Sequence, residues 1–147
     1  MITFSSDNIP MPSLDYPQVE RWLRAVAAQY GYAVGELNYI FCDDEKILAV
    51  NLEFLQHDYY TDIITFDYTT RTRVNGDIYI SLDTVASNAE QVGAPFLQEL
   101  HRIIIHGLLH WQTAEDYIHI IERQYGLQFW HLLWINILPN QVSNKEQ

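Results

Sequence analysis

The stretch that decides the fold is "TDIITFDYTTRTRVNGDIYISL", residues 61–82, in which two strand-like segments flank a polar connection. "TDIITFDY" and "GDIYISL" are both rich in β-branched and aromatic residues, a composition that favours extended chain. The connection ends in Asn75-Gly76, a pair that favours tight turns between antiparallel strands. We therefore predict a β-hairpin, with Arg71 and Arg73 in its solvated loop.

The chain before the hairpin alternates between strand and helix patterns. "MITF" is predicted as a short first strand, and "ELNYIFC" as a second strand, because its apolar residues alternate. "PQVERWLRAVAAQYG", residues 17–31, is predicted as a helix that begins near Pro17 and ends near Gly31. "DDEKILAVNLEFL" begins with acidic residues that suit a helix N-terminus. The buried face predicted for the first helix comprises Val19, Trp22, Leu23, Val26 and Tyr30.

The chain after the hairpin is predicted to be helical. "SLDTVASNAEQVG" is a helix capped by Ser81 and closed by Gly93. "PFLQELHRIIIHGLLHW" follows from Pro95, and its three consecutive isoleucines predict a helix that is buried on most sides. A last helix begins at about Ala114. Mixed strands and helices around one sheet are typical of α+β or α/β folds. We predict the α+β class: one domain over residues 1–147, with a small mixed sheet packed against helices.

Composition restricts the classes of function. The 147 residues suit a single domain, and no apolar run approaches the ~20 residues that span a membrane. The N-terminus lacks the pattern of a secretion signal, and Cys42 is the only cysteine, so we expect a cytoplasmic location. The formal charge of -11, from 8 basic and 19 acidic residues, argues against tight non-specific binding of nucleic acid. A metal ion could still supply positive charge at one point.

Two histidines, His106 and His110, lie four residues apart on a predicted helix. Their side chains therefore project from one face, where two imidazole nitrogens could reach one zinc ion at ~2.0–2.1 Å. A catalytic zinc also needs a third protein ligand and an open position for water. Equally, such a pair can be two polar groups at the edge of a core. Gly107 costs a helix roughly 1 kcal/mol relative to alanine, which predicts close approach of another element.

Four segments together resemble the YbeY family of metal-dependent endoribonucleases. "HGLLH", preceded by "ELHRIII", is similar to the family motif H-G-x-L-H-L-x-G-Y-D-H. "VNLEFLQHDYYTDIITFDY" resembles L-N-x-x-Y-R-x-x-D-x-x-T-D-V-L-S-F, and "GDIYIS" resembles G-D-I-x-I-S. "NYIFCDDEKILAVN" resembles the family's strand followed by a helix. The matches follow the family's order over most of residues 37–110.

The resemblance implies a function and a set of site residues. It implies a zinc-dependent, single-strand-specific endoribonuclease that acts in 16S rRNA 3′-end maturation and ribosome quality control. The implied partners are ribosomal RNA and the small ribosomal subunit, with no membrane and no DNA. His106 and His110 take the positions of two zinc ligands, Thr61 and Asp62 match the family's Thr-Asp pair, and Asn51 matches its asparagine.

The sequence departs from the family pattern at two places. Leu55 stands where the family usually has an arginine that is thought to serve the RNA chemistry, and Arg102 is a candidate substitute for holding a phosphate. The third ligand falls ten residues after the first histidine, at Asp116, and a carboxylate can ligate zinc. In a competing alignment "TAED" opens the last helix, and Thr113-x-x-Asp116 forms a capping box. We predict that Asp116 is the ligand.

Three functions follow from these residues. In the first, the protein cleaves RNA, and its metal activates water and offsets charge on the scissile phosphate. In the second, motivated by Leu55 and by Thr113-Ala114 in place of the family's Gly-Tyr turn, it is a ribosome-associated binding protein of the same fold with weakened catalysis. In the third, favoured slightly by the acidic charge, it is a metal-dependent hydrolase of another substrate. We predict the first.

Overall fold

A computed structural model of the chain describes residues 1–55 and 62–109. Strands and helices are mixed along this part of the chain, which confirms the predicted α+β class. The last predicted helix, from about Ala114, lies outside the described residues. The elements in chain order are β1 (Ile2–Ser6), α1 (Tyr16–Gln29), β2 (Ala33–Cys42), α2 (Asp44–Val50), a π-helical turn (Asn51–Leu55), β3 (Ile63–Asp67), β4 (Arg73–Ser81), α3 (Leu82–Val92) and α4 (Phe96–Leu108).

The four described strands form one mixed sheet in the order β1-β2-β4-β3. β1 and β4 both run parallel to β2, and β3 runs antiparallel to β4. The predicted hairpin is therefore confirmed as the β3–β4 pair, with Ile63 opposite Ile80. Because β2 and β4 are parallel, their carboxyl ends meet, and Cys42 lies opposite Ser81 at this end of the sheet.

The turn predicted at Asn75-Gly76 was wrong, because both residues lie inside β4 and neither has the positive φ that the predicted turn needs. The chain reverses at residues 71–72 instead. Gly76 is needed where two strands approach closely, since a Cβ there would lie 2.8 Å from the carbonyl oxygen of Phe66. Asn75 Oδ1 accepts a hydrogen bond from the Glu36 amide at 2.8 Å, at the irregular part of the β2–β4 pairing. The pair therefore serves strand pairing.

The principal core lies on one face of the sheet, beneath α1 and α4. Leu37, Tyr39 and Phe41 alternate along β2 and are buried there, as the sequence predicts. The Tyr39 hydroxyl donates a hydrogen bond to the carbonyl oxygen of Ile104 at 2.8 Å, which links the central strand to α4. The opposite face carries a smaller cluster in which Cys42 packs with residues of α2 and β3.

The helix ends follow the capping chemistry of the sequence. Ser81 Oγ accepts a hydrogen bond from the Thr84 amide at 3.3 Å, and Gly93 closes α3 with φ 69°. α1 buries Val19, Leu23 and Val26, while the other two residues of its predicted face are partly buried against the core. No helix of the described ranges is long and apolar enough to cross a bilayer.

The segment predicted as one helix over residues 43–55 divides into two parts. Regular α-helix ends at Val50, and a π-helical turn follows over Asn51–Leu55. Within this turn Asn51 is buried, and the ring of Phe54 meets the ring of Phe66 on β3 edge-on, with centroids 5.6 Å apart. These long-range contacts explain why local periodicity did not predict the change.

Candidate metal centre

His106 lies in the last turn of α4 and is 2% exposed. Gly107 beside it allows the helix to approach the sheet closely, as the sequence predicts. A Cβ at this position would lie 2.9 Å from Ile78 Cγ2 and 3.0 Å from Ile63 Cδ1, which is closer than van der Waals contact allows. The absence of a side chain at residue 107 therefore sets how deeply the His106 turn sits on β3 and β4.

A buried imidazole suits a transition metal such as zinc, because it is a donor that these ions accept and its site is shielded from bulk water. Of the three predicted ligands, the structure places only His106, because His110 and Asp116 lie outside the described residues. Thr61, from the Thr-Asp pair, also lies outside them. Within residues 1–55 and 62–109, no three histidine, cysteine or acidic side chains come together as a metal site. His106 is compatible with the predicted metal, and the ligand set stays a prediction.

A buried charged cluster lies one turn before His106. Arg102 and Glu99 are both 0% exposed, and Asp62 is 2% exposed. Arg102 Nε donates to Glu99 Oε1 at 2.7 Å, and Nη2 donates to Oε2 at 2.5 Å, which gives the paired geometry of a guanidinium on a carboxylate. Arg102 Nη2 also lies 3.6 Å from Asp62 Oδ2. The cluster thus connects α4 with the residue that precedes β3.

Asp62 is held from two further directions. Asn88 on α3 donates from Nδ2 to Asp62 Oδ2 at 3.4 Å, and the Ser81 amide donates to the Asp62 carbonyl oxygen at 3.0 Å. A buried carboxylate requires such partners, so this arrangement supports a structural role for Asp62. Three elements, α3, α4 and the start of β3, therefore converge at the cluster.

Comparisons with known proteins identify the family of this chain. Residues 2–125 match the model of a family described as Endoribonuclease YbeY. The chain is 56% identical over 116 residues to Endoribonuclease YbeY of Phocaeicola vulgatus, covering 79% of this chain and 84% of that relative. It is 55% identical over 115 residues to Endoribonuclease YbeY of Bacteroides thetaiotaomicron, covering 78% of this chain and 84% of the relative.

This chain belongs to the YbeY family. Membership confirms the predicted family and the predicted enzyme class, that of nucleases. A solution structure of TM1509 from Thermotoga maritima superposes with a TM-score of 0.61 at 19% identity, covering 97% of this chain and 95% of that chain. This likeness supports the fold alone.

In this YbeY chain, sequence reasoning missed the partners of Arg102. Glu99 lies three residues before Arg102 on a helix that is mostly apolar around them, and that pair of opposite charges was the available signal. Asn88 gave no comparable signal, because its contact with Asp62 depends on how α3 packs. In the structure the Arg102 guanidinium faces two carboxylates, and its predicted phosphate contact stays a prediction.

A second polar network joins α2 to α3 at the carboxyl ends of β2 and β4. Asp44 Oδ1 accepts hydrogen bonds from Ser81 Oγ and from Thr84 Oγ1, each at 2.6 Å. Burial raises the pKa of the nearby Cys42 thiol to about 12, with a further contribution from neighbouring acidic side chains. Asn51, which matches the YbeY asparagine, is buried immediately after α2. This network fixes the helix that leads into the π-helical turn.

His101 lies on the same helix as His106 but in a different environment. Its Nδ1 donates to the Leu97 carbonyl oxygen at 2.7 Å, and its ring meets Trp22 edge-on with centroids 6.0 Å apart. Burial lowers the pKa of His101 below its usual 6.5, while the hydrogen bond to Leu97 opposes this effect. His101 therefore packs against α1 as a structural side chain of this YbeY chain.

Proposed function

We propose that this YbeY-family member is a zinc-dependent endoribonuclease of single-stranded RNA. It acts, in this proposal, on 16S rRNA during 3′-end maturation and ribosome quality control, on the small ribosomal subunit in the cytoplasm. One domain over residues 1–147 carries the activity. The observation that supports the proposal most is 56% identity to an Endoribonuclease YbeY over a region that includes the His106 motif.

The proposed zinc ligands are His106, His110 and Asp116. When bound, zinc supplies a Lewis acid that activates water and offsets charge on the scissile phosphate. The chain itself provides a buried imidazole on a helix that Gly107 allows to lie tightly on the sheet. Asp62 and Arg102 hold that helix to its neighbours, so the site is built on rigid elements.

The net negative charge of the chain favours a substrate that contacts the protein mainly at the metal centre, and it disfavours RNA binding along an extended protein surface. A formal charge of -11 repels a phosphate backbone over distances of about a Debye length, ~8 Å at physiological salt. Productive contact then depends on the metal centre and a few basic side chains. We expect weak binding to long RNA and cleavage that requires an accessible single strand.

A second candidate is a ribosome-associated binding protein with weakened catalysis. Leu55 stands where the family pattern has arginine, and Arg102, the candidate substitute, is completely buried against Glu99. These two observations favour the binding protein as the second candidate. The comparisons offer no support for the third function, a metal-dependent hydrolase of another substrate.

The test measures metal content and cleavage of a labelled single-stranded RNA. We expect about one zinc per chain, cleavage that stops after chelation, and recovery when zinc is returned. His106→Ala and His110→Ala should lose both zinc and cleavage, whereas Arg24→Met, at an exposed site on α1, should retain both. Cleavage that persists without metal would exclude the proposed mechanism. Full zinc occupancy without cleavage, together with co-sedimentation with small subunits, would favour the second candidate.

The third ligand is tested by Asp116→His and Asp116→Ala together. If Asp116 is a ligand, histidine can replace it, so the histidine variant keeps zinc and the alanine variant loses it. If Asp116 instead lies in the first turn of the last helix, both variants keep zinc. Both then lose typically ~0.3–1 kcal/mol of stability. Zinc affinity and the thermal midpoint measured on each variant distinguish the two alignments.

A further inference from the structure

We propose that Arg102 is a positioning residue for the metal centre. Its guanidinium orients the turn of α4 that carries His106, by tying that helix to Asp62 and through Asp62 to α3 and β4. The inference rests on the metal-dependent function proposed above. It assigns Arg102 a role that needs no contact with RNA.

Glu99 holds the Arg102 guanidinium in one orientation. Two parallel hydrogen bonds to Glu99, at 2.7 and 2.5 Å, hold its plane in one direction. Both residues belong to α4, so this pair cannot by itself fix the helix relative to the sheet. It leaves Nη2 3.6 Å from Asp62 Oδ2, within ion-pair distance. Glu99 therefore prepares Arg102 to make the contact between elements.

Asp62 is itself anchored to α3 and to the end of β4. Its carboxylate accepts from Asn88 on α3, and its carbonyl oxygen accepts from the amide of Ser81, the residue that ends β4 and caps α3. Asp62 thus cannot follow small movements of α4 without breaking hydrogen bonds. Since His106 lies four residues after Arg102 on the same helix face, a guanidinium held by Asp62 also holds the turn of His106.

The other contacts of this turn restrain it less completely. The Tyr39 hydroxyl donates to the Ile104 carbonyl oxygen at 2.8 Å, which fixes the turn to β2 at one point and leaves its rotation about that point to be restrained by further contacts. Gly107 lets the helix approach Ile78 and Ile63, but these contacts are between hydrocarbon groups and permit rotation and sliding. Buried ion clusters also add little stability, because apolar side chains of similar volume commonly replace them at no cost. What the Arg102 cluster adds is a second polar contact, an ion pair between α4 and the residue before β3, made by a guanidinium that Glu99 holds in one orientation. That contact serves the orientation of a metal ligand.

The test separates orientation from stability with two variants. Asp62→Asn removes the charged contact between elements, leaves Arg102 and Glu99 as a neutral pair, and keeps an acceptor for Asn88. The triple variant Asp62→Asn/Glu99→Leu/Arg102→Met replaces the whole cluster by uncharged side chains of similar size. Thermal midpoints are measured on chelated protein, and zinc affinity is measured by competition with a chromophoric chelator. Arg24→Met, which removes the exposed pair with Glu20, is the matched control.

If Arg102 positions the site, the triple variant keeps a midpoint near that of the wild type but binds zinc about tenfold more weakly or worse. Asp62→Asn should weaken zinc binding by a smaller factor at unchanged midpoint, and the control should change neither quantity. Wild-type zinc affinity in both cluster variants would overturn the inference. Wild-type protein that binds no zinc would instead overturn the metal-dependent function, so the two failures are distinguishable. Should the triple variant not fold, Asp62→Asn alone decides the outcome.

Discussion

Replacing Gly107 by alanine tests the close approach of α4 to the sheet. The added Cβ would lie 2.9 Å from Ile78 Cγ2, 3.0 Å from Ile63 Cδ1 and 3.1 Å from Ile78 Cδ1. Carbon atoms in contact are about 3.5–4.0 Å apart, so the overlap with Ile78 Cγ2 is roughly 0.6 Å. Ile63 Cδ1 ends a flexible side chain and can rotate away. Ile78 Cγ2 is attached to the Cβ of a fully buried strand residue, so the helix itself must move.

Two opposing contributions set the size of the effect. Alanine is favoured over glycine inside a helix by ~1 kcal/mol. Overpacking a close-packed core typically costs about 1–3 kcal/mol. We expect Gly107→Ala to lower the free energy of unfolding by about 1 kcal/mol, which corresponds to a midpoint roughly 4 °C lower for a chain of this length. Movement of the helix should also weaken zinc binding, because His106 is the adjacent residue.

Urea denaturation of chelated protein measures the stability of the variant without a contribution from metal. A double-mutant cycle with Ile78→Ala provides the control, since removing Cγ2 makes room for the new methyl group. In that background Gly107→Ala should be neutral or stabilising. A variant that is more stable than the wild type by about 1 kcal/mol in the native background would refute the reasoning. It would show that helix propensity outweighs the contact with Ile78.

Three further predictions concern two buried groups, Asp62 and Cys42, and the half-buried His101. Asp62→Ala should lower the free energy of unfolding by about 1–3 kcal/mol, because it leaves buried donors without their acceptor; unchanged stability with lost cleavage would reverse the structural assignment. Cys42, buried and with its pKa raised to about 12, should resist thiol reagents at pH 8 until the chain is denatured, and rapid labelling of folded protein would contradict this. For His101, the lowered pKa means that the fold prefers the neutral ring. The free energy of unfolding should therefore be highest above pH 6.5 and should fall as the pH drops through the lower pKa that His101 has in the folded protein. His101→Gln should make the free energy of unfolding depend less on pH in this range. An equally steep decline in that variant would exclude His101 as its source.

The elements were predictable where local chemistry decides them. Leu37, Tyr39 and Phe41 alternate because one face of β2 is buried, and Ser81 and Gly93 bound α3 because their capping chemistry is local. Strand pairing was harder to predict. β2 begins at Ala33, earlier than its alternating pattern, because it pairs with the start of β4 far along the chain.

Asn75-Gly76 shows why a local signal can mislead. The pair has the composition of a hairpin turn, but its role is decided by Phe66 and Glu36 on the two neighbouring strands. The same limit applies to the candidate site. The spacing of His106 and His110 indicated a shared helix face, whereas the grouping of Glu99 and Arg102 with Asp62 depends on how α4 packs against the start of β3.

The hydrogen bond between Tyr39 and Ile104 has a consequence for the order of folding. Its partners are 65 positions apart, and contacts that close such long segments form slowly because the loss of chain entropy precedes the gain. The helix that carries His106 can dock only on a central strand that already exists. Under the proposed function, a growing polypeptide would therefore lack its metal centre while α4 is still being synthesised, and it would bind the ion only once α4 has docked. An enzyme proposed to act on ribosomes would in this way stay inactive until α4 has docked on the sheet.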